Sequence, residues 1–273
     1  ELALALIQDS RGTAIGLHFE GFGDLRAWER LAVAAQSRGV PLVALKIGRS
    51  ASAQAAAVSH TASLAGGDAG AAALLARLGI ARAETLPTFL EALKLIHMAG
   101  RLPSNKIAAI SCSGGEASLV ADLAEDRDLC FDPLDEAREV ALRAALGPMV
   151  ALANPLDYHT YIWRDAERMA EAWSALSGPD TSITLSIVDY PTTDATDWAC
   201  ATEAAILSGQ SLDHPFGVVA TLGELMPPDV SETLIAGGVI PFHGMEEALA
   251  AVELAARSLV TLSEPVLLPG AER

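Results

Sequence analysis

The chain has 273 residues, a formal net charge of −17 and a pI near 4.6, so nucleic-acid backbones and anionic membrane surfaces would repel it. Hydrophobic residues make up 51% and aromatics only 5%, a balance that suits aliphatic helices packed on parallel strands buried on both faces. The three cysteines (Cys112, Cys130, Cys200) lack metal-ligand spacing and leave one over from any pairing, and no apolar run reaches the roughly 18 residues of a membrane span, so a reduced, cytoplasmic protein without a metal site is expected.

Short apolar runs alternate with amphipathic stretches, which predicts an α/β fold. The chain opens in an apparent helix, E-L-A-L-A-L-I. The pattern then gives a strand over 13–19, a helix over 24–38 capped by Asp24, and a strand over 41–47. A stretch rich in Ala, Ser and Gly covers 48–67. Helices follow over 68–78 and 86–99, with a short strand between them at 80–83. The turn-rich G-R-L-P-S-N at 100–105 marks a domain boundary.

A second series follows. Strands are predicted over 106–111, 182–188, 216–221 and 239–242, with another running from 150–153 into N-P-L-D. Helices are predicted over 116–125, 133–146, 165–176, 196–207, 228–236 and 245–262. The organisation is therefore two parallel-sheet domains, 1–100 and 106–262, with a tail at 263–273. Two or three strands cannot cover their own edges, so the first domain reads as truncated at its N-terminus and the full-length protein is expected to begin upstream.

Four segments can carry chemistry. Lys46 and Arg49 close the second strand in K-I-G-R-S and lead into S-H-T-A-S-L-A-G-G, a loop of small residues that presents His60. A neutral imidazole there can attack phosphorus in line, or can simply cap a turn. S-C-S-G-G-E, residues 111–116, joins a strand to a helix; Ser113, Gly114 and Gly115 then sit where free amides and the helix dipole attract an anion. The same glycines would also serve close helix–strand packing, and Cys112 reads as a small core residue or a nucleophile. Glu20 and Asp24, at a strand end, can orient a histidine or act as a loop acid and a helix cap. Asn154 and Asp157 in N-P-L-D-Y-H can fix a turn through their own side chains or face the shared edge of the two domains. His159 reads as a surface or interface residue, and His18, His97, His214 and His243 have no partner spacing and read as structural.

The ordered series K-I-G-R-S, S-H-T-A-S-L-A-G, S-G-G-E and N-P-L-D resembles the NDP-forming acyl-CoA synthetases, relatives of succinyl-CoA synthetase, over most of the chain. The resemblance implies flavodoxin-like domains of succinyl-CoA synthetase type. It also implies a reaction in which acyl-CoA, NDP and phosphate interconvert with acid, CoA and NTP through a phosphohistidine. His60 matches the phosphorylated residue, Glu20 the carboxylate that supports it, and Ser113, Gly114 and Gly115 the phosphate-holding helix start. Lys46, Arg49, Asn154 and Asp157 would support the site.

The complete enzyme would use CoA, ATP or ADP, and Mg²⁺, with a small organic acid and phosphate. It would need CoA-binding and ATP-grasp domains or subunits and would assemble as an oligomer, so this chain alone is expected to be inactive. Ala62 stands where relatives usually carry glycine, and Ala53 where a further glycine is usual; a φ > 0 requirement at Ala62 would cost about 1 kcal/mol. Competing readings are a catalytically silent scaffold and a regulatory segment of an acetyltransferase fusion. Neither the acyl group nor the choice of ADP or GDP is encoded in these patterns.

Overall fold

The computed structural model describes residues 2–50, 52–53, 67–257 and 262. The chain divides into two compact units, residues 1–101 with 257–273 and residues 102–256. In the first, strands β1 (Ile15–Phe19), β2 (Leu42–Lys46) and β3 (Ala81–Ala83) form a parallel sheet in the order β1-β2-β3. Helices α1 (Leu2–Ile7), α2 (Leu25–Ser37), α3 (Asp68–Arg77) and α4 (Leu86–Ala99) belong to the same unit.

Composition explains the burial of these strands. β2 is L-V-A-L-K and central, so every residue of it is buried. β1 lies at the edge and alternates between buried and open positions. Asp24 caps α2 by accepting the Arg26 amide at 2.8 Å, and Gly39 at φ +66° turns the chain after it into β2. Leu31, Ala32 and Ala35 of α2 pack with Leu42, Ala44 and Leu75 in the core of this unit.

The second unit contains β4 (Ile107–Ser111), α5 (Gly114–Ala124), α6 (Glu136–Leu146), β5 (Leu156–Asp157) and α7 (Ala166–Ala175). It continues with β6 (Ile183–Ile187), α8 (Ala199–Ser211), β7 (Phe216–Ala220), α9 (Pro228–Ala236), β8 (Ile240–His243) and α10 (Met245–Ala256). Its five parallel strands run β5-β4-β6-β7-β8, a doubly wound sheet of flavodoxin type. Trp173 of α7, fully buried, stacks on Phe216 of β7 at 5.9 Å and anchors one helical layer to the sheet.

Two expectations need correction. Residues 150–153 form no strand: Arg143 binds the carbonyls of Gly147 and Val150 at 2.8 and 2.9 Å, and Pro155 has no amide to give a ladder. Pairing begins only at Leu156, opposite Ile110. The last helix ends at Ala256 rather than 262, and the Leu262 amide instead donates to Gln36 Oε1 at 2.8 Å.

The gap left beside β4 is filled by a side chain. Asn154 Oδ1 accepts the Ala109 amide at 3.2 Å, and its Nδ2 donates to the carbonyls of Ile107 and Asp132 at 3.1 and 3.3 Å. The carboxamide thus stands in for a strand one step before β5 starts. Asn154→Ala should lower unfolding free energy by about 1–3 kcal/mol, because it strands a buried amide and carbonyl. Chemical denaturation checks this, and a loss well under about 0.5 kcal/mol would show that β4 keeps its edge without Asn154.

Candidate functional site

The strand order of the second unit reverses between β4 and β6, and ligands of such sheets gather outside the carboxyl ends at that crevice. β4 delivers Ser111, Cys112 and Ser113 there, and α5 starts at once with Gly114 and Gly115. Ser113 is the helix N-cap, accepting the Glu116 amide at 3.5 Å. The first helical bond runs from the Ala117 amide to the Ser113 carbonyl at 3.0 Å. The amides of Gly114 and Gly115 precede that bond, so they have no acceptor four residues back in the helix.

A relay of hydroxyls fixes this turn. The Ser113 amide donates to Ser111 Oγ at 2.9 Å, and the Ser111 hydroxyl donates in a short hydrogen bond to the Glu116 carboxylate. Asp157, closing β5 opposite Ser111, accepts the His159 amide at 2.8 Å and lies so close that a Cβ on Gly114 would be 3.0 Å from its Oδ2. A side chain at 114 would therefore press on this carboxylate, which would have to shift by a few tenths of an ångström. Asp189, just beyond β6, accepts the Thr221 amide at 2.7 Å and the Thr221 hydroxyl at 2.6 Å.

Charge at this edge is one-signed. Burial pushes the Glu116 carboxyl above its ordinary value; the Ser111 hydrogen bond opposes that shift, while Asp189 and Asp157 reinforce it. Burial, with the field of Glu116, also raises the Cys112 thiol, so Cys112 is a poor thiolate nucleophile. Among the described residues no group of three or more His, Cys, Asp or Glu could hold a metal ion, and no helix is long and apolar enough to cross a membrane.

The first unit gathers its own polar cluster at the carboxyl edge. Phe19 pairs with Lys46 in register, so Glu20 follows β1 beside the end of β2. Lys46 is only 2% exposed, and its Nζ donates to the Ile47 carbonyl at 3.2 Å. Arg49 is ion-paired with Glu84, the residue after β3. Arg82 joins Glu84 at 3.1 Å and Asp68, at the start of α3, at 2.8 Å. Because Arg49 is partly exposed, its pair contributes little stability, and its role is to tie the β2 and β3 ends together.

Among the candidates read from the sequence, Ser113, Gly114, Gly115 and Asp157 converge at one edge, and Glu20, Lys46 and Arg49 lie along the other. Asn154 belongs to the β4 edge rather than to the ligand side. His60 and Ala62 lie outside the described residues. Two contributors escaped the sequence reading: Asp189 and the Ser111–Glu116 bond. An acid closing the run 182–188 was the available signal for the first, since the same signal had singled out Glu20.

Glu116 generates a pH prediction. Its carboxyl is held above the ordinary 4.5, so the native state binds a proton more tightly than the unfolded chain does. The associated stability is complete below about pH 4.5 and is lost as pH rises through the native value. Glu116→Gln, which keeps an acceptor for Ser111, should therefore leave Tm unchanged near pH 4 and raise it at pH 7–8. Equal shifts at both pH values in thermal melts would contradict this assignment.

Comparison with known proteins fits this geometry. Residues 1–96 match the family model for the succinyl-CoA ligase-like flavodoxin domain. A trans-feruloyl-CoA synthase from an unknown prokaryotic organism is 28% identical over 275 residues, covering 97% of this chain and 38% of that protein. Subunit alpha of the ADP-forming acetate–CoA ligase II of Pyrococcus furiosus is 33% identical over 180 residues, 66% of this chain and 38% of its own. The chain thus spans well under half the length of these curated relatives.

Two solved structures share the fold. The dinucleotide-forming acetyl-coenzyme A synthetase 1 of Ca. Korarchaeum cryptofilum, in complex with phosphate and ADP, aligns with a TM-score of 0.75 at 19% identity over 93% of this chain and 55% of its own. A Pyrococcus horikoshii protein aligns at 0.74 and 22% identity over 94% and 54%. Residues 1–96 thus match a succinyl-CoA ligase-like flavodoxin domain, and the chain is similar to subunit alpha of an ADP-forming acetate–CoA ligase and shares its fold with a dinucleotide-forming acetyl-coenzyme A synthetase.

Proposed function

We propose that this chain is part of an acyl-CoA synthetase (NDP-forming), an acid–thiol ligase that interconverts acyl-CoA, NDP and phosphate with acid, CoA and NTP. The observation that carries the reading is the capped helix start at Ser113–Gly115, located where an α/β sheet binds phosphate, in a chain similar over 97% of its length to a feruloyl-CoA synthase. CoA-binding and nucleotide-binding domains or subunits would complete the enzyme.

In this reading His60 carries the phosphoryl group. One imidazole nitrogen attacks phosphorus in line, and the carboxylate of an acyl phosphate leaves with the bonding pair. Glu20 accepts a hydrogen bond from the other ring nitrogen and holds the imidazole orientation. The Gly114 and Gly115 amides and the Ser113 hydroxyl stabilise phosphate oxygens without reorganising. Glu116 lies beside this helix start, its carboxyl held above its ordinary value by burial. Mg²⁺ would accompany the nucleotide, and the described residues form no cluster of three or more acidic, His or Cys ligands for it.

The test is phosphoryl labelling of the complete enzyme, with NTP and Mg²⁺ or with acyl-CoA and labelled phosphate. The label should be acid-labile and base-stable. His60→Ala should abolish it. Glu20→Gln and Ser113→Ala should each slow labelling by about 10–1,000-fold, the range for losing one preorganised contact. Label persisting in His60→Ala would place the nucleophile elsewhere.

A further inference from the structure

The second unit holds a hollow that the proposed reaction does not use. It opens between α8 and α9, has a volume of about 670 Å³, and is lined by Tyr190, Thr202, Glu203, Ile206, Asp229 and Val230 among others. That volume falls within the roughly 300–1,000 Å³ of small-molecule sites. Ile206 and Val230 supply apolar walls, and among the described residues no Lys, Arg or His lines the hollow.

Its polar groups are of two kinds. Tyr190 is 1% exposed, and its hydroxyl pairs with that of Thr202 at 3.0 Å. The two hydroxyls share one hydrogen between them, which leaves a second O–H to donate and lone pairs to accept. Burial pushes the Tyr190 phenol up to about 12, so it remains a neutral donor throughout the physiological range. Glu203 and Asp229 are exposed carboxylates, and Asp229 stands in the first turn of α9, where the helix dipole favours its charge.

We propose that this hollow is a second ligand site, one that takes a small organic amine with an apolar body. The ammonium group would pair with Glu203 and Asp229, the body would cover Ile206 and Val230, and a hydroxyl on the far end would meet the Tyr190–Thr202 pair. The same lining repels carboxylates, phosphates and CoA, and this sets the hollow apart from every reactant of the ligase reaction. The chain's charge of −17 works in the same direction, drawing cations rather than anions toward the surface.

The experiment is calorimetric titration of the full chain with tyramine, phenethylamine and 3-(4-hydroxyphenyl)propanoate, a matched set of two amines and one acid. Tyramine should bind saturably, at least about tenfold tighter than the acid, and more weakly as salt rises. The double variant Glu203→Gln, Asp229→Asn should weaken tyramine about tenfold or more, and it removes only exposed groups. Tyr190→Phe should abolish the preference for tyramine over phenethylamine, with a circular dichroism spectrum confirming the fold. The proposal is overturned if the acid binds as well as the amines, if the double variant leaves tyramine affinity unchanged, or if no amine saturates by roughly 10 mM.

Discussion

The pairing of β4 on both sides is the constraint on which the edge of the second unit depends. On one side it is laddered to β6 over its whole length, Ile107 to Ser111. On the other it has only two partners in β5; Asn154 bonds the Ala109 amide and the Ile107 carbonyl, and the Cys130 carbonyl takes the Ile107 amide. A strand bonded in this way cannot slip by a residue without breaking its ladder to β6, its pairs with β5 and its bonds to Asn154. The point where β4 ends, and hence where α5 begins, is therefore fixed. The two glycine amides are presented at the switch point because the strand behind them has no freedom.

The electrostatics of that turn set two demands against each other. A helix start attracts anions, yet Glu116, Asp157 and Asp189 all lie near it, and two of them raise the third. The hydroxyl relay through Ser111 and the two bonds from Thr221 to Asp189 distribute this charge over donors already present in the protein. The arrangement resembles the pKa tuning by burial and like charge that concentrates at functional sites. Cys112, at the same edge, is kept as a thiol for the same reasons: burial first, then the field of Glu116, raise its pKa.

The first unit solves a related problem with cations. Lys46 is buried at the end of the central strand with a carbonyl as its acceptor, while Arg49, Glu84, Arg82 and Asp68 form a chain of ion pairs across the strand ends. Individually these pairs are weak, but they span β2, β3 and the start of α3, so they hold the rim from which the small-residue segment departs.

Periodicity and composition were enough to determine much of this architecture. Buried parallel strands such as L-V-A-L-K and I-A-A-I-S are nearly unbroken apolar runs, and helices such as Leu86–Ala99 carry their own signals, a Thr cap at one end and glycine at the other. The succession of short motifs also carried the resemblance to acyl-CoA synthetases that the relatives bear out. What the sequence could not disclose depends on contacts between residues distant along the chain. The run at 150–153 looks like a strand, but Arg143 and Pro155 divert it. Asn154 looks like a turn residue or a site residue, but its carboxamide completes a sheet 45 residues upstream, at Ala109. Asp189 and Glu116 interact only because the strand order β4-β6 places two distant strand ends side by side. Local propensity is written residue by residue, whereas the partner of a buried polar group is chosen by topology, and only the tertiary structure decides that.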